Sequence, residues 1–241
     1  MGCDTARCLG SVFAALALAL AGCQTVETTQ AGVVGIDRKQ TMTVFLTRQD
    51  ADQISARKYV RMMTRAQQMG LLNRDPQQVQ RVRTVADRLV AETPAFREGA
   101  TGWQWEVNVV TTTQVNAWSA LGGKIILSSG MLELDLTDDE LAAMLGHEIA
   151  HSLREHAREV LLSSQQAEVE ADIIGVELAA RAGYDPRAVK TFWHKLTAAT
   201  DTHSTGWLST HPSNNVRLRE LDQAIRNVMP VYEKGRMTSS Q

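Results

Sequence analysis

His147-Glu148-Ile149-Ala150-His151 is the segment of this 241-residue chain whose residue types and spacing most directly suggest chemistry. Two histidines four apart on a helix project from one face, so their imidazoles can take two positions on one zinc ion. Glu148 adjoins the first histidine and can take a proton from an attacking water. Together the three meet the minimum for metal-assisted hydrolysis. Alone the pattern is also compatible with a charged helix face carrying incidental histidines.

A catalytic zinc ion needs a third protein ligand and an open position. The cysteines, Cys3, Cys8 and Cys23, all lie at the N-terminus, so the body of the chain offers no thiolate. The ligand must be a histidine or a carboxylate. Glu168-Val169-Glu170-Ala171-Asp172 supplies candidates, because Glu168 and Asp172 share a helix face. One can bind the metal while the other hydrogen-bonds a ligand histidine. The alternative reading is a solvated acidic stretch, but Ile173, Ile174, Val176 and Leu178 follow directly and place part of this helix in the core. Buried carboxylates want a cation.

With these segments in hand, the chain resembles the HtpX/LoiP/Ste-type zinc metallopeptidases, peptidase family M forty-eight. Its HEIAH, EVEAD and HPSNNVR segments stand in the order of that family's H-E-x-x-H, E-x-x-x-D and H-P-x-x-x-x-R. The resemblance spans roughly residues 48–228. It implies a zinc-dependent endopeptidase with one zinc ion per chain, held by His147, His151 and Glu168. Glu148 would be the base and Asp172 an outer partner of the ligands. His211 would cap the open position or steady the oxyanion, with Arg217 orienting it. Asn116-Ala117-Trp118 and Gly122-Gly123 resemble the active-site edge strand, which can hold an extended peptide by main-chain pairing. The implied fold is α+β: a mostly helical, zincin-like (gluzincin) domain with a small antiparallel sheet whose edge strand flanks the active-site helix.

Helical periodicity runs over 48–72, with Ile54, Tyr59, Met62, Met63 and Met69 expected as core. Asp75-Pro76 opens a second helix with Val79, Val82, Val85, Ala86 and Leu89 on its apolar face. Alternation predicts a strand over 103–110, and Gly122-Gly123 predicts a hairpin joining strands at 115–120 and 124–128. Thr137 to Glu140 reads as a capping box for the HEIAH helix. Further helices are expected over 165–182, closed by Gly183, over 186–198, and over 213–228. Asp138 and Asp139 read as residues of the helix start, Trp207 as packing, His156 as solvated, His194 as part of an amphipathic helix, and His203 as a loop residue.

One spacing is awkward. Only sixteen residues separate His151 from Glu168. An unbroken helix would hold them roughly 25 Å apart, yet Ser152 to Val160 contains no Gly or Pro. The helix must end early, or the zinc site is imperfect. The second possibility motivates a different class of function, a non-catalytic, chaperone-like envelope lipoprotein that binds clients through its edge strand.

The N-terminus reads as an address. Leu9 to Ala21 is an apolar run preceded by Arg7, the outline of a signal peptide over 1–22. Leu20-Ala21-Gly22-Cys23 resembles the bacterial lipobox, which makes Cys23 the expected lipidation site; a signal peptide with a chance Cys is the alternative. Residues 23–47 would form the lipidated Cys, a tether and an N-terminal segment; 48–230 the metallopeptidase domain; 231–241 a disordered tail. The expected location is the bacterial envelope, at the inner leaflet of the outer membrane facing the periplasm. The expected substrates are misfolded or unassembled envelope proteins. A net charge of -2 and 5% aromatics give no basis for nucleic-acid binding.

Overall fold

A computed structural model describes residues 23–159, 164–199, 206–212 and 215–239. The signal segment, with Cys3, Cys8 and the residues preceding Cys23, lies outside them, as does His203. Among the described residues no helix is long and apolar enough to cross a membrane.

The chain is α+β and mostly helical. It opens with two short antiparallel strands, β1 (Cys23–Val26) and β2 (Gln40–Thr43). Helices α1 (Arg48–Gln68) and α2 (Pro76–Ala91) follow. A three-stranded sheet then forms from β3 (Glu106–Val110), β4 (Ala117–Ala120) and β5 (Lys124–Ser128). A single turn of helix, α3 (Ser129–Leu132), leads into α4 (Asp138–Arg154), which carries HEIAH. Next come α5 (Ser164–Arg181), α6 (Ala188–Ala199), the short α7 (Gly206–Thr210) and α8 (Asn215–Ser239).

The expected hairpin is present: β4 and β5 pair antiparallel, from Ala117 opposite Leu127 to Ala120 opposite Lys124, across the left-handed Gly122 and Gly123. β3 adds to the other side of β5 in parallel, so the order is β3-β5-β4 and β4 is an edge. The strand expected from Trp103 starts later, at Glu106. Trp103 and Trp105 stack instead at 5.6 Å, and the Trp105 indole N–H donates to Ala100 O at 2.8 Å.

α4 is the spine of the molecule. Its capping box is complete: Thr137 accepts from Glu140 N–H, and the Glu140 carboxylate accepts from Thr137 N–H. Nearly every residue from Glu140 to Arg154 is buried, which marks it as a core helix. It packs most extensively against α5. Two glycines permit the approach. A Cβ at Gly146 would lie 2.7 Å from Gly175 O, and one at Gly175 would lie 2.6 Å from His147 N. Both residues sit inside helices, where glycine costs about 1 kcal/mol relative to alanine; close backbone contact offsets that cost. Gly175→Ala must push the two helices apart. We expect a loss of about 1–3 kcal/mol in urea unfolding, together with weaker zinc binding measured by chelator competition.

Three sequence expectations are corrected here. First, the apolar face of α1 is not core. Ile54, Met62 and Met69 are 52%, 39% and 58% exposed, and the buried residues are Ala51, Tyr59 and Ala66. The helix meets the body along a narrow stripe, where the Tyr59 hydroxyl donates to Glu106 and accepts from Asn108. Second, the segment after Cys23 is not a free tether. β1 and β2 pair, and Met42 bridges to Glu159. Third, α8 continues past Pro230 into the expected disordered tail, because Leu221, Ile225, Val228 and Tyr232 keep a buried helical stripe.

Candidate metal centre

The awkward spacing is solved by an early stop. α4 ends at Arg154, and Glu155 takes the left-handed conformation at φ 54°. That conformation costs a non-glycine residue roughly 1–2 kcal/mol, so a turn made by Glu155 carries no sequence mark of its own. The surroundings offset the cost. Glu155 N–H bonds back to His151 O and Ser152 O. The Glu155 carboxylate pairs with Arg97 at 2.7 Å, with Arg48 at 3.3 Å and with Arg158. Gln40 Nε2 donates to the Arg154 carbonyl at 2.5 Å. The chain then makes one turn of 3-10 helix over His156–Arg158 and returns as α5.

Burial alone would raise the Glu155 pKa, but Arg97, with Arg158 and Arg48, holds it below the usual carboxylate value. A carboxylate depressed in the folded state contributes stability above its unfolded pKa and loses it as pH falls. The unfolding midpoint should therefore drop between roughly pH 5 and 3, and Glu155→Gln should flatten that drop while lowering the plateau. Equal slopes in both proteins would count against the role of this turn.

The return brings four side chains to one point. One ligand atom from each of His147, His151, Glu168 and His211 lies within 4.8 Å of all the others. His151 Nε2 is 3.0 Å from His147 Nε2 and 3.5 Å from Glu168 Oε1. His147 Nε2 is 3.4 Å from Glu168 Oε2 and 3.2 Å from His211 Nδ1. Two ligand atoms bound tetrahedrally at zinc distances lie roughly 3.3 Å apart, so this cluster of three imidazoles and one carboxylate fits a zinc ion. Glu148 is 1% exposed, and its Oε1 lies 3.5 Å from His211 Nε2.

Residues 76–167 and 160–225 match the family model described as Peptidase family M48. The chain belongs to this family. Similar M48 proteins include the mitochondrial metalloendopeptidase OMA1 of Arabidopsis thaliana, 34% identical over 160 residues, 53% of this chain and 33% of that relative. OMA1 of Schizosaccharomyces pombe is 29% identical over 161 residues, 52% and 48% of the two chains. The beta-barrel assembly-enhancing protease of Escherichia coli K12 is 23% identical over 203 residues, 65% and 41%. The chain thus spans a third to a half of the length of these M48 relatives.

Around the cluster the M48 chain sets an outer layer. Asp172 Oδ1 is 2.9 Å from His147 Nδ1, and Asp172 accepts from Arg217 Nε and Nη2 at 2.7 and 2.8 Å. Arg217 is 1% exposed, reaches Glu168 at 3.0 Å, and lies under Trp193 at 4.6 Å. Its bond toward the His211 segment goes to Pro212 O at 2.9 Å. Arg217 thus reaches the backbone beside His211 and the Glu168 carboxylate, which lies 2.9 Å from His211 Nδ1. Burial opposes a charge on His147, but hydrogen bonds to Asp172 and Glu168 prevail and push its pKa up to about 9. Burial would raise the Glu168 pKa; the same histidines hold it well below the usual range.

Trp207 is packing, as expected, and more. It is 1% exposed, stacks on His211 at 4.6 Å, and donates from Nε1 to Glu148 Oε1 at 3.1 Å. Its place two segments away in sequence gave no signal of this bond. His194 is exposed. His156 is not solvated: its side chain is 5% exposed and touches His151. The left-handed turn at Glu155 swings it inward, which a continued helix would not do.

A cleft of about 230 Å³ opens over the cluster, lined among others by Trp118, Ala120, Leu121, Glu148, His151 and His211. Of the three expected peptide-binding residues, Trp118 lines it, with Lys58 over its ring at 4.8 Å. Ala117 is buried, and Asn116 sits behind, its N–H donating to Ser128 Oγ. The stretch facing the cleft is thus shifted toward Ser119 to Leu121. Ser152 Oγ ties this edge to α4 through Ala120 O at 3.2 Å.

Proposed function

We infer that the chain is a zinc-dependent endopeptidase that cleaves unfolded or unassembled proteins of the bacterial envelope, anchored by lipid at Cys23. The observation that carries the reading is the four-donor cluster lying beside Glu148 in a cleft bordered by an edge strand. Zinc, when bound, supplies Lewis-acid polarisation of the scissile carbonyl and of the attacking water. His147, His151 and Glu168 hold it. Asp172 accepts from His147 Nδ1–H and so aims Nε2 at the ligand cluster, where its lone pair becomes available as metal binding releases the Nε2 proton. Glu148, oriented by the Trp207 indole N–H, takes the proton of the attacking water and delivers it to the leaving amine. β4 lends its free edge to an extended peptide. That mode favours clients with unpaired backbone over folded ones.

His211 adds a condition. A catalytic site keeps one position open, and His211 Nδ1 fills out the donor set. His211 would therefore cap a bound metal in this arrangement and withdraw before water and peptide enter, which would free its ring to steady the oxyanion.

The envelope assignment rests on the lipobox-like Leu20 to Cys23 and on likeness to a protein named for enhancing beta-barrel assembly. The chaperone-like alternative was motivated by the short His151–Glu168 spacing, and the turn at Glu155 accommodates that spacing. The reading is tested on the purified full chain with one substrate in two states, an unfolded casein-type protein and a folded domain. Selective cleavage of the unfolded one, stopped by a chelator, is expected; chelator-resistant cleavage would refute it. Cys23→Ala expressed in cells should move the protein from the membrane fraction to the soluble one.

A further inference from the structure

His156 stands in a chain of polar contacts that begins at one histidine of the metal cluster. Its Nδ1 lies 2.8 Å from His151 Nδ1, and its Nε2 lies 3.3 Å from Glu170 Oε2. Glu170 is in turn fixed by Arg154, at 2.8 Å from Nε and 2.7 Å from Nη2, and by Arg38 from the N-terminal segment. Arg154 is 1% exposed and also donates to Thr29 Oγ1 and Arg38 O, at 3.1 and 3.2 Å.

The proton positions along this chain follow from donor and acceptor chemistry. An ionised carboxylate only accepts, so His156 must carry its hydrogen on Nε2 to bond Glu170. A neutral imidazole has one donor and one acceptor, which leaves His156 Nδ1 as an acceptor. His151 must then donate from Nδ1. Its Nε2 is thereby left with a lone pair, and that is the atom 3.0 Å from His147 Nε2 and 3.5 Å from Glu168 Oε1.

We propose that His156 is a positioning residue: with Glu170 behind it, it holds the second histidine of HEIAH in the tautomer and orientation that present Nε2 to the metal. Asp172 does this for His147 with a carboxylate; here an imidazole stands between carboxylate and ligand. Arg38 and Gln40 extend the support into the segment that follows Cys23, so that segment braces the metal centre. The inference rests on the reading of His151 as a zinc ligand.

Two variants of similar size separate positioning from packing. His156→Asn keeps an acceptor where Nδ1 stands, and His156→Leu does not; both lose the link to Glu170. Zinc alone is titrated against a chromophoric chelator, on the full chain stripped of metal and refilled. We expect His156→Leu to weaken zinc binding about 10–100-fold and His156→Asn to stay close to the wild type. Nitrogen NMR of the imidazoles should show His151 protonated at Nδ1 in the wild type and a mixture of tautomers in His156→Leu. Wild-type affinity in His156→Leu, or an equal loss in both variants alongside equal loss of stability in the metal-free protein, would overturn the proposal. A wild-type chain that binds no zinc would instead refute the metal-site reading itself.

Discussion

Glu148→Gln should leave zinc bound at wild-type stoichiometry and lower peptide cleavage by about 10²–10⁴-fold, the range supplied by a positioned general base. The substitution keeps the shape of the side chain. Its amide oxygen can still accept from Trp207 Nε1, as Glu148 Oε1 does at 3.1 Å, so the fold around it should persist. What is lost is the ability to take a proton from water. The loss should fall on kcat rather than KM, because the group acts on the reacting atoms and not on the rest of the peptide. The measurement is steady-state cleavage of an unfolded substrate, with zinc content determined on the same sample. Near-wild-type cleavage would remove Glu148 from the mechanism.

Asp172→Ala should weaken the metal centre and the fold together. Asp172 is buried and accepts from both His147 and Arg217. Its removal frees the His147 ring to rotate and exchange tautomers, which should weaken zinc binding about 10–100-fold. It also strips Arg217, 1% exposed, of one buried carboxylate partner and leaves Glu168 as another. Breaking a buried pair in this way costs about 3–5 kcal/mol. Chelator competition reads the first effect and urea unfolding of the metal-free protein reads the second. A loss of affinity without loss of stability would mean that Arg217 finds another partner. Unchanged affinity would mean that His147 is held by its helix alone.

The candidate site residues were legible because side-chain spacing on a helix is local. His147 and His151 share a face by periodicity alone, and so do Glu168 and Asp172. The hairpin across Gly122-Gly123 and the capping box at Thr137 were legible for the same reason. What was hidden is long-range. The stop after Arg154 is made by Glu155, a residue type that does not announce a left-handed turn, and it is stabilised by Arg97 and Gln40 from more than fifty residues away. His156 read as solvated because a continued helix would have carried it along a charged face. Met62 of α1 and Met69 at its end obeyed helical periodicity and still ended exposed, since periodicity gives a face but not whether anything covers it. Gly146 and Gly175 did carry a signal: glycine inside a helix asks for a packing reason, and the reason is the contact that brings Glu168 to the histidines.

The N-terminal segment changes its meaning most. Read as a tether, it was a spacer between a lipid and an enzyme. In the folded chain, Thr28, Thr29, Arg38 and Gln40 bind the end of α4 and the side chains behind His151. The segment that follows Cys23 is therefore linked through few interactions to the histidine cluster.

The most direct test of the metal centre is the zinc-to-chain ratio, measured by elemental analysis on the full chain after saturation with zinc and removal of the excess. A ratio of one in the wild type, falling toward zero when His147, His151 and Glu168 are replaced together by alanine, is the predicted result. A wild-type ratio near zero, or a ratio that the triple replacement leaves unchanged, would contradict it.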